Sequence, residues 1–321
     1  MSFSTEAKNE LARIFPEKHC CRVGELAALT RLDGTMHIDE NQQVSMIIAT
    51  ESSPVARKIF RLFKELYNIE PKIHVQRKKR FKKNILYSVR VGSSPKMMQI
   101  LKELGVLGDD GEILPGIKKA LIKRKCCRRS YLRGMFLGAG SINNPEGNYH
   151  LELIINNSLF AREVVKLMDQ FHNRSEEHTS ELQAKISLRK KSYIVYLKES
   201  EQIAAFLNII GAHRTLLEFE NIRVIKDMRN KVNRLVNCDT ANLKKAVEAS
   251  LRQIKQIKLI EERIGLNKLS PRLREIARLR LENPDSNLKE LGEMLDPPVG
   301  KSGVNHRLRK IEAIAEKISP R

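Results

Sequence analysis

Apolar positions recur at helical spacing over residues 23–32, after which the period of the pattern changes to two. Residues 35–38 and 44–50 alternate on either side of Glu40-Asn41-Gln42, which predicts a β-hairpin. Ser53 followed by Pro54 offers an N-cap and a first-turn proline, and an amphipathic run continues to Tyr67. Two more alternating runs, 72–76 and 85–91, predict a second hairpin, and Ser94-Pro95 opens a helix that stops at Gly105. The predicted order is αββαββα.

That order occurs twice. Residues 20–35 read CCRVGELAALTRLDGT and residues 126–141 read CCRRSYLRGMFLGAGS, with CCR, Leu26 on Leu132 and the final glycine in register. Downstream, Ala56-Arg57 pairs with Ala161-Arg162, and Gly105 with Gly211. A repeat of about a hundred residues is a domain in its own right, because solenoid units run at roughly 20–50. The expectation is an α+β, pseudo-twofold domain over 20–212, with halves 20–107 and 126–212, behind an N-terminal helical segment 1–19. About eight extra residues interrupt the second half between Phe171 and Ala184. They include Arg174-Ser175-Glu176-Glu177-His178-Thr179-Ser180-Glu181-Leu182-Gln183, which looks like the translation of a sequencing-adapter oligonucleotide. On that reading the segment is an artefact, and His178 with its glutamates is not a metal site. The alternative is a natural polar loop between helix and hairpin.

Beyond Gly211 the texture turns helical. A connector, 213–265, alternates charged and apolar residues, with a cap offered at Cys238-Asp239-Thr240 and a stop at Gly265. Residues 266–321 form the last unit. Ser270-Pro271 opens one helix, Asn283-Pro284-Asp285 breaks it, and Leu288, Leu291 and Leu295 line a second. After Asp296-Pro297-Pro298-Val299-Gly300, Ser302 is read as the cap of a third. Val304, Leu308 and Ile311 fall on one face of that helix, which turns Asn305, His306, Arg309 and Lys310 outward with Arg307 at the edge. This is the pattern of an all-α helix-turn-helix. Arg and Asn suit guanine and adenine edges in the major groove, while Lys and Ser can hold phosphate. A small bundle used for protein contacts is the alternative.

Charge favours the first reading. The 321 residues hold 59 Lys and Arg against 38 Asp and Glu, a formal net charge of +21. Such a surface binds phosphate backbones by counterion release. The cations cluster, at Arg77, Lys78, Lys79, Arg80, Lys82 and Lys83 on the second hairpin tip, and again over residues 118–129. Double-stranded DNA is therefore the expected partner, with protein partners in regulation or division possible. No stretch approaches the roughly 18 apolar residues of a membrane span, and the amphipathic, charged N-terminus is unlike a signal peptide. A cytoplasmic, nucleoid-associated protein without cofactor is expected. Five cysteines, an odd number, argue against a disulfide framework. Cys20-Cys21 and Cys126-Cys127 could in principle converge across the pseudo-twofold axis to hold zinc, yet adjacent cysteines lack the usual zinc-ligand spacing. Buried packing and helix-start roles are expected instead, and no metal.

The residues also carry two resemblances. Leu26-Ala27-Ala28-Leu29-Thr30-Arg31-Leu32-Asp33-Gly34 resembles the LAGLIDADG signature of homing endonucleases, and residues 132–140, LRGMFLGAG, resemble it more loosely. The resemblance implies two signature helices packed on small residues, here Ala27, Ala28 and Gly134. It also implies an acidic residue at each helix end, holding a divalent ion at a scissile phosphate. The matching positions are Asp33 and Ala139, so one ligand is a methyl group and Asp33 is vestigial. The whole chain is similar to the bacterial WhiA family, most closely in residues 4–11 (STEAKNEL), 233–242 (NRLVNCDTAN) and 301–310 (KSGVNHRLRK). That similarity implies a DNA-binding regulator of Gram-positive bacteria, connected with cell division, chromosome segregation and sporulation, in which cleavage has been lost. The sequence thus reads as a non-enzymatic, sequence-specific DNA binder, set against two alternatives: a metal-dependent endonuclease or nickase using Asp33, and a platform for division partners.

Overall fold

Both repeats build the predicted order of elements in a computed structural model that describes residues 2–40, 43–77, 85–94, 96–171 and 182–318. Helix α1 (Phe3–Ala12) precedes them. The first repeat comprises α2 (His19–Asp33), β1 (Gly34–Ile38), β2 (Val44–Thr50), α3 (Ser53–Tyr67), β3 (Lys72–Arg77), β4 (Ile85–Val91) and α4 (Met97–Glu103). The second comprises α5 (Lys125–Ala139), β5 (Gly140–Ile142), β6 (Leu151–Ile155), α6 (Ser158–Asp169), β7 (Lys185–Arg189), β8 (Ser192–Leu197) and α7 (Ser200–Ile210). Each repeat makes one antiparallel sheet, ordered β1-β2-β4-β3 and β5-β6-β8-β7. The duplication inferred from CCR and the residues in register with it is therefore also a duplication of topology. The cap of α3 is Ser52 rather than Ser53, one residue earlier than the pattern indicates.

Alternation fixes which face of each sheet is covered. Val44, Met46 and Ile48 are buried while Ser45, Ile47 and Ala49 are not, and Leu151, Leu153 and Ile155 repeat this on β6. Between the sheets' covered faces lie α2 and α5, packed against one another along a seam of small residues. A Cβ on Gly134 would lie 2.5 Å from the Glu25 carbonyl oxygen and 2.8 Å from Ala28 Cβ, so the backbones approach where only glycine fits. Ala27 and Ala28 are fully buried in the same seam. Both helices then run straight into a strand. Gly34 and Gly140 have negative φ and extended ψ, so neither is a left-handed cap. Their Cβ atoms would meet the carbonyl oxygens of Thr30 and Phe136 at 2.2 and 2.5 Å, and that close approach is the reason for glycine at both junctions.

At the centre of the seam sits an ionic cluster. Glu25 of α2 lies 2.5 Å from Lys58 Nζ of α3 and 3.4 Å from the Arg133 guanidinium of α5. Lys58 also donates to the carbonyls of Leu11 and Ile14, and Arg133 to that of Ile210, so three charges tie α1, α2, α3, α5 and α7 together.

Helix α8 (His213–Ile264) is one element of 52 residues. It passes through Cys238-Asp239-Thr240, where the sequence offered a cap, because no glycine or proline interrupts it and these residues cost only about half a kcal/mol each in a helix. Its first turn is capped from outside: Glu10 of α1 accepts from the Arg214 and Thr215 amides at 2.8 and 2.9 Å. The chain divides into two compact units, Met1–Lys226 and Asp227–Arg321, each with its own core. In the second unit the end of α8 packs Ile257 and Ile260 against α9 (Pro271–Glu282), α10 (Leu288–Glu293) and α11 (Lys301–Ile318). Among the described residues no helix is long and apolar enough to cross a membrane.

Of the suspect decapeptide, only Leu182 and Gln183 are described, and Leu182 is buried in the first unit's core. A two-residue link replacing 174–181 while keeping Leu182 should leave the melting temperature and DNA affinity unchanged. Shortening a flexible segment changes closure entropy by only about 0.6 kcal/mol per halving. A clear loss in differential scanning calorimetry or DNA titration would mark the segment as a genuine functional loop.

Candidate nucleic-acid interface

The helix-turn-helix is assembled by local chemistry at each turn. Buried Arg280 on α9 donates to the Ser286 carbonyl at 2.6 Å and holds the loop between α9 and α10. Asn287 then caps α10 through a reciprocal capping box with Glu290. Gly292 allows the following turn to fold back on the helix: a Cβ there would lie 2.0 Å from the Val299 carbonyl oxygen, and the Val299 amide donates to the Gly292 carbonyl at 2.9 Å.

Helix α11 starts at Lys301, and the Gly300 carbonyl accepts from the amides of Gly303 and Val304. Gly300 therefore holds the cap position, and Ser302 is an exposed first-turn residue, contrary to the sequence reading. Glycine is an adequate cap residue, so the proline-rich turn rather than a hydroxyl sets where the helix begins. Val304, Leu308 and Ile311 are buried as the periodicity requires, and Ala315 extends that face. His306, Arg309 and Lys310 are exposed and Asn305 is half-buried. Arg307 is turned inward, with its guanidinium 3.9 Å from Glu275 of α9. One helix thus carries hydroxyl, amide, imidazole, guanidinium and ammonium groups on the side away from its buried face.

The outer faces of the two sheets are mixed in character. Lys72 pairs with Arg90 and Lys185 with Tyr196, but Ile47 lies beside Arg90 and Glu152 beside Tyr196. Arg77 is exposed at the end of β3, while Lys78, Lys79, Arg80, Lys82 and Lys83 fall outside the described residues. In the run 118–129, Lys119, Lys123, Arg124, Lys125 and Arg129 are exposed; Lys118 and Arg128 instead donate to backbone carbonyls. That run lies at the N-terminal end of α5, some 14 residues or about 21 Å from its other end.

At that other end, Asp33 and Ala139 stand together beside a cleft of about 600 Å³. Lys8 of α1 lines the same cleft, with Glu51 also close to its ammonium. Burial pushes the Asp33 carboxyl up to about 6, against the opposing pull of Lys8. Its proton is held more tightly in the folded than the unfolded chain, so stability falls as pH rises from the usual carboxylate range through about 6. One carboxylate, one methyl group and one ammonium do not fit a pair of divalent ions. The acids that follow Ala139 in the chain are engaged elsewhere: Glu146 accepts from Asn144 at 3.2 Å, and Glu152 lies 3.2 Å from His150.

Comparison with known proteins bears on both units. Three family models match the chain: the WhiA N-terminal LAGLIDADG-like domain over 19–107, the WhiA LAGLIDADG-like domain over 128–229, and the WhiA C-terminal HTH domain over 232–315. A protein of Desulfitobacterium hafniense (strain Y51), named "Probable cell division protein WhiA", is 57% identical over 318 residues, covering 99% of this chain and 96% of that one. The chain belongs to the WhiA family. A WhiA relative of Heliobacterium modesticaldum with the same name is 52% identical over 99% of this chain and 97% of its own. The crystal structure of full-length DUF199/WhiA from "Thermatoga maritima" aligns over 100% of both chains with a TM-score of 0.60 and 27% identity. The N-terminal LAGLIDADG domain of DUF199/WhiA aligns with a TM-score of 0.52 at 23% identity, over 69% of this chain and 96% of that one, and supports the fold of the duplicated region. The WhiA assignment and the HTH domain together point to a DNA-binding regulator rather than an enzyme.

Sequence reasoning missed three sets of residues in this WhiA fold. Lys8 beside Asp33, Glu10 on the amides of α8, and the cluster of Glu25, Lys58 and Arg133 all join residues far apart in the chain. A usable signal existed for the last of them: Glu25 and Lys58 interrupt otherwise apolar faces of α2 and α3. A charge on a buried face needs a partner of opposite sign.

Proposed function

We propose that this WhiA-family protein is a sequence-specific DNA-binding regulator that acts on transcription at the nucleoid in the service of cell division and chromosome segregation, and of sporulation where the host sporulates. Helix α11 enters the major groove; Asn305 and Arg309 read base edges, His306 and Lys310 flank them, Ser302 contacts phosphate, and Arg307 fixes the helix against Glu275. The row of outward polar side chains on α11, over a face that buries Val304, Leu308, Ile311 and Ala315, carries this reading. The cations at 77–83 supply a sequence-independent hold on the backbone, and the duplicated unit docks on DNA or receives a protein partner. Genome-wide crosslinking with immunoprecipitation should return peaks centred on promoters. Diffuse occupancy, or none, would contradict a sequence reader.

Cleavage is not part of the proposal. Purified protein incubated with magnesium or manganese should leave its bound duplex intact, because Ala139 offers no ligand and Lys8 places a cation beside Asp33. Double-strand cutting abolished by Asp33→Ala, read on a denaturing gel, would overturn this. Asp33-dependent nicking of one strand would instead establish the nickase reading.

A further inference from the structure

The two Cys-Cys pairs, 106 positions apart in the chain, meet in space. Cys20 and Cys21 lie in the first turn of α2, and Cys126 and Cys127 in the first turn of α5. All four Sγ atoms lie within 4.8 Å of one another. The pairing follows the pseudo-twofold axis: Cys21 meets Cys126 and Cys20 meets Cys127, so each sulfur touches one from the other helix. We propose that these four cysteines are a structural zinc site that staples the two signature helices at their N-termini.

Geometry supports zinc over simple packing. Four points no more than 4.8 Å apart all lie within about 2.9 Å of a common centre, whereas a zinc–thiolate bond is about 2.3 Å long. Each sulfur therefore needs to move inward by only about 0.6 Å, and the tetrahedral edge of about 3.8 Å is close to the 4.0 Å already separating Cys126 and Cys127. The spacing that argued against zinc in the sequence is a rule for ligands on one strand or loop. Here each helix contributes a vicinal pair and the fold supplies the other half.

The surroundings are built to match. Arg22 donates through Nε to the Pro16 carbonyl, and Arg128 donates through Nε to the Ile122 carbonyl, at 2.6 and 2.9 Å. These are equivalent anchors, each fixing the loop before its own cysteine pair. Ser130, the counterpart of Gly24, offers a hydroxyl to Cys21. Four thiolates around Zn²⁺ leave a net charge of −2, which two helix N-termini and the neighbouring Lys18 are placed to offset. On binding, Zn²⁺ takes four sulfur lone pairs and the four thiol protons go to solvent, with no change of oxidation state. The site lies at the opposite end of the 15-residue helices from Asp33, so it belongs to folding rather than to the cleft.

The test uses the full-length protein purified under reducing conditions without added metal. Elemental analysis should find one zinc per chain, and Co²⁺ added to the chelator-stripped protein should give the intense d–d bands and sulfur-to-cobalt charge transfer of a tetrahedral tetrathiolate. Cys20→Ser and Cys126→Ser, at the two half-exposed positions, should each lose zinc and weaken the cobalt spectrum. Cys238→Ser, on exposed α8, should change neither. Stripping zinc from the wild type should lower its melting temperature, and zinc should restore it. The proposal fails if the folded wild-type protein holds no zinc and its four thiols are alkylated by iodoacetamide as readily before as after zinc addition. It also fails if the sulfurs are recovered as disulfides, or if iron with sulfide is found in place of zinc.

Discussion

Lys58→Met should destabilise the first unit by about 3–5 kcal/mol, the usual cost of leaving one member of a buried ion pair without its partner. Neither side chain of the Lys58–Glu25 pair is exposed to solvent, and Nζ lies 2.5 Å from Oε1. Removing the ammonium leaves Glu25 with Arg133 alone at 3.4 Å, and strips the donor from the Leu11 and Ile14 carbonyls where α1 ends. Because α1 also carries Glu10, the cap of α8, loosening this end reaches the entry to the long helix. The double variant Glu25→Gln with Lys58→Met measures the coupling between the two, with Arg133 left to its bond to the Ile210 carbonyl. Urea unfolding followed by circular dichroism gives the four corners of that cycle. A single-variant loss within about 0.5 kcal/mol, the range of ordinary surface substitutions, would show that the cluster does not hold the seam.

Asn305→Ala and Arg309→Ala should each remove about 1–3 kcal/mol of discrimination between a selected duplex and a scrambled one, and their combination should approach non-specific affinity. Arg309 is exposed and makes no ion pair among the described residues, so its guanidinium is available to a guanine edge at little cost to the fold. Arg307 differs: it is drawn to Glu275, and its loss should weaken the packing of α11 on α9 more than it relaxes base preference. Competition binding against single-base variants of the selected site separates the two effects, because only a base reader changes the ranking of those variants.

What was legible in the sequence was what depends on period and local chemistry. The switch from helical to alternating spacing located every element of the first repeat, and the matched CCR motifs carried the same order onto the second. Val304, Leu308 and Ile311 announced the buried side of α11 and thereby its outer side. Pairings between distant residues were not legible. Nothing local tells that Lys8 lies beside Asp33 or that Glu10 caps α8, whereas the meeting of the two cysteine pairs followed from the repeat. Continuity of α8 through Cys238-Asp239-Thr240 was hidden because the same residue types cap helices and are tolerated within them. The decision between Ser302 and Gly300 as cap turned on backbone geometry after two prolines rather than on side-chain preference.

The assignment of sequence reading to α11 and of backbone holding to the second hairpin tip is tested most directly by one titration series. Wild type, the Asn305→Ala/Arg309→Ala variant, and a variant neutralised at Lys78, Lys79, Lys82 and Lys83 are each titrated with selected and scrambled duplexes at several salt concentrations. The helix variant should bind both duplexes with nearly equal affinity and a salt slope close to that of wild type. The hairpin variant should keep the ratio between duplexes while binding both more weakly, with the slope reduced by about 0.9 for each phosphate that is no longer neutralised. Loss of discrimination in the hairpin variant, with the helix variant unaffected, would place base reading in the duplicated domain and contradict the account.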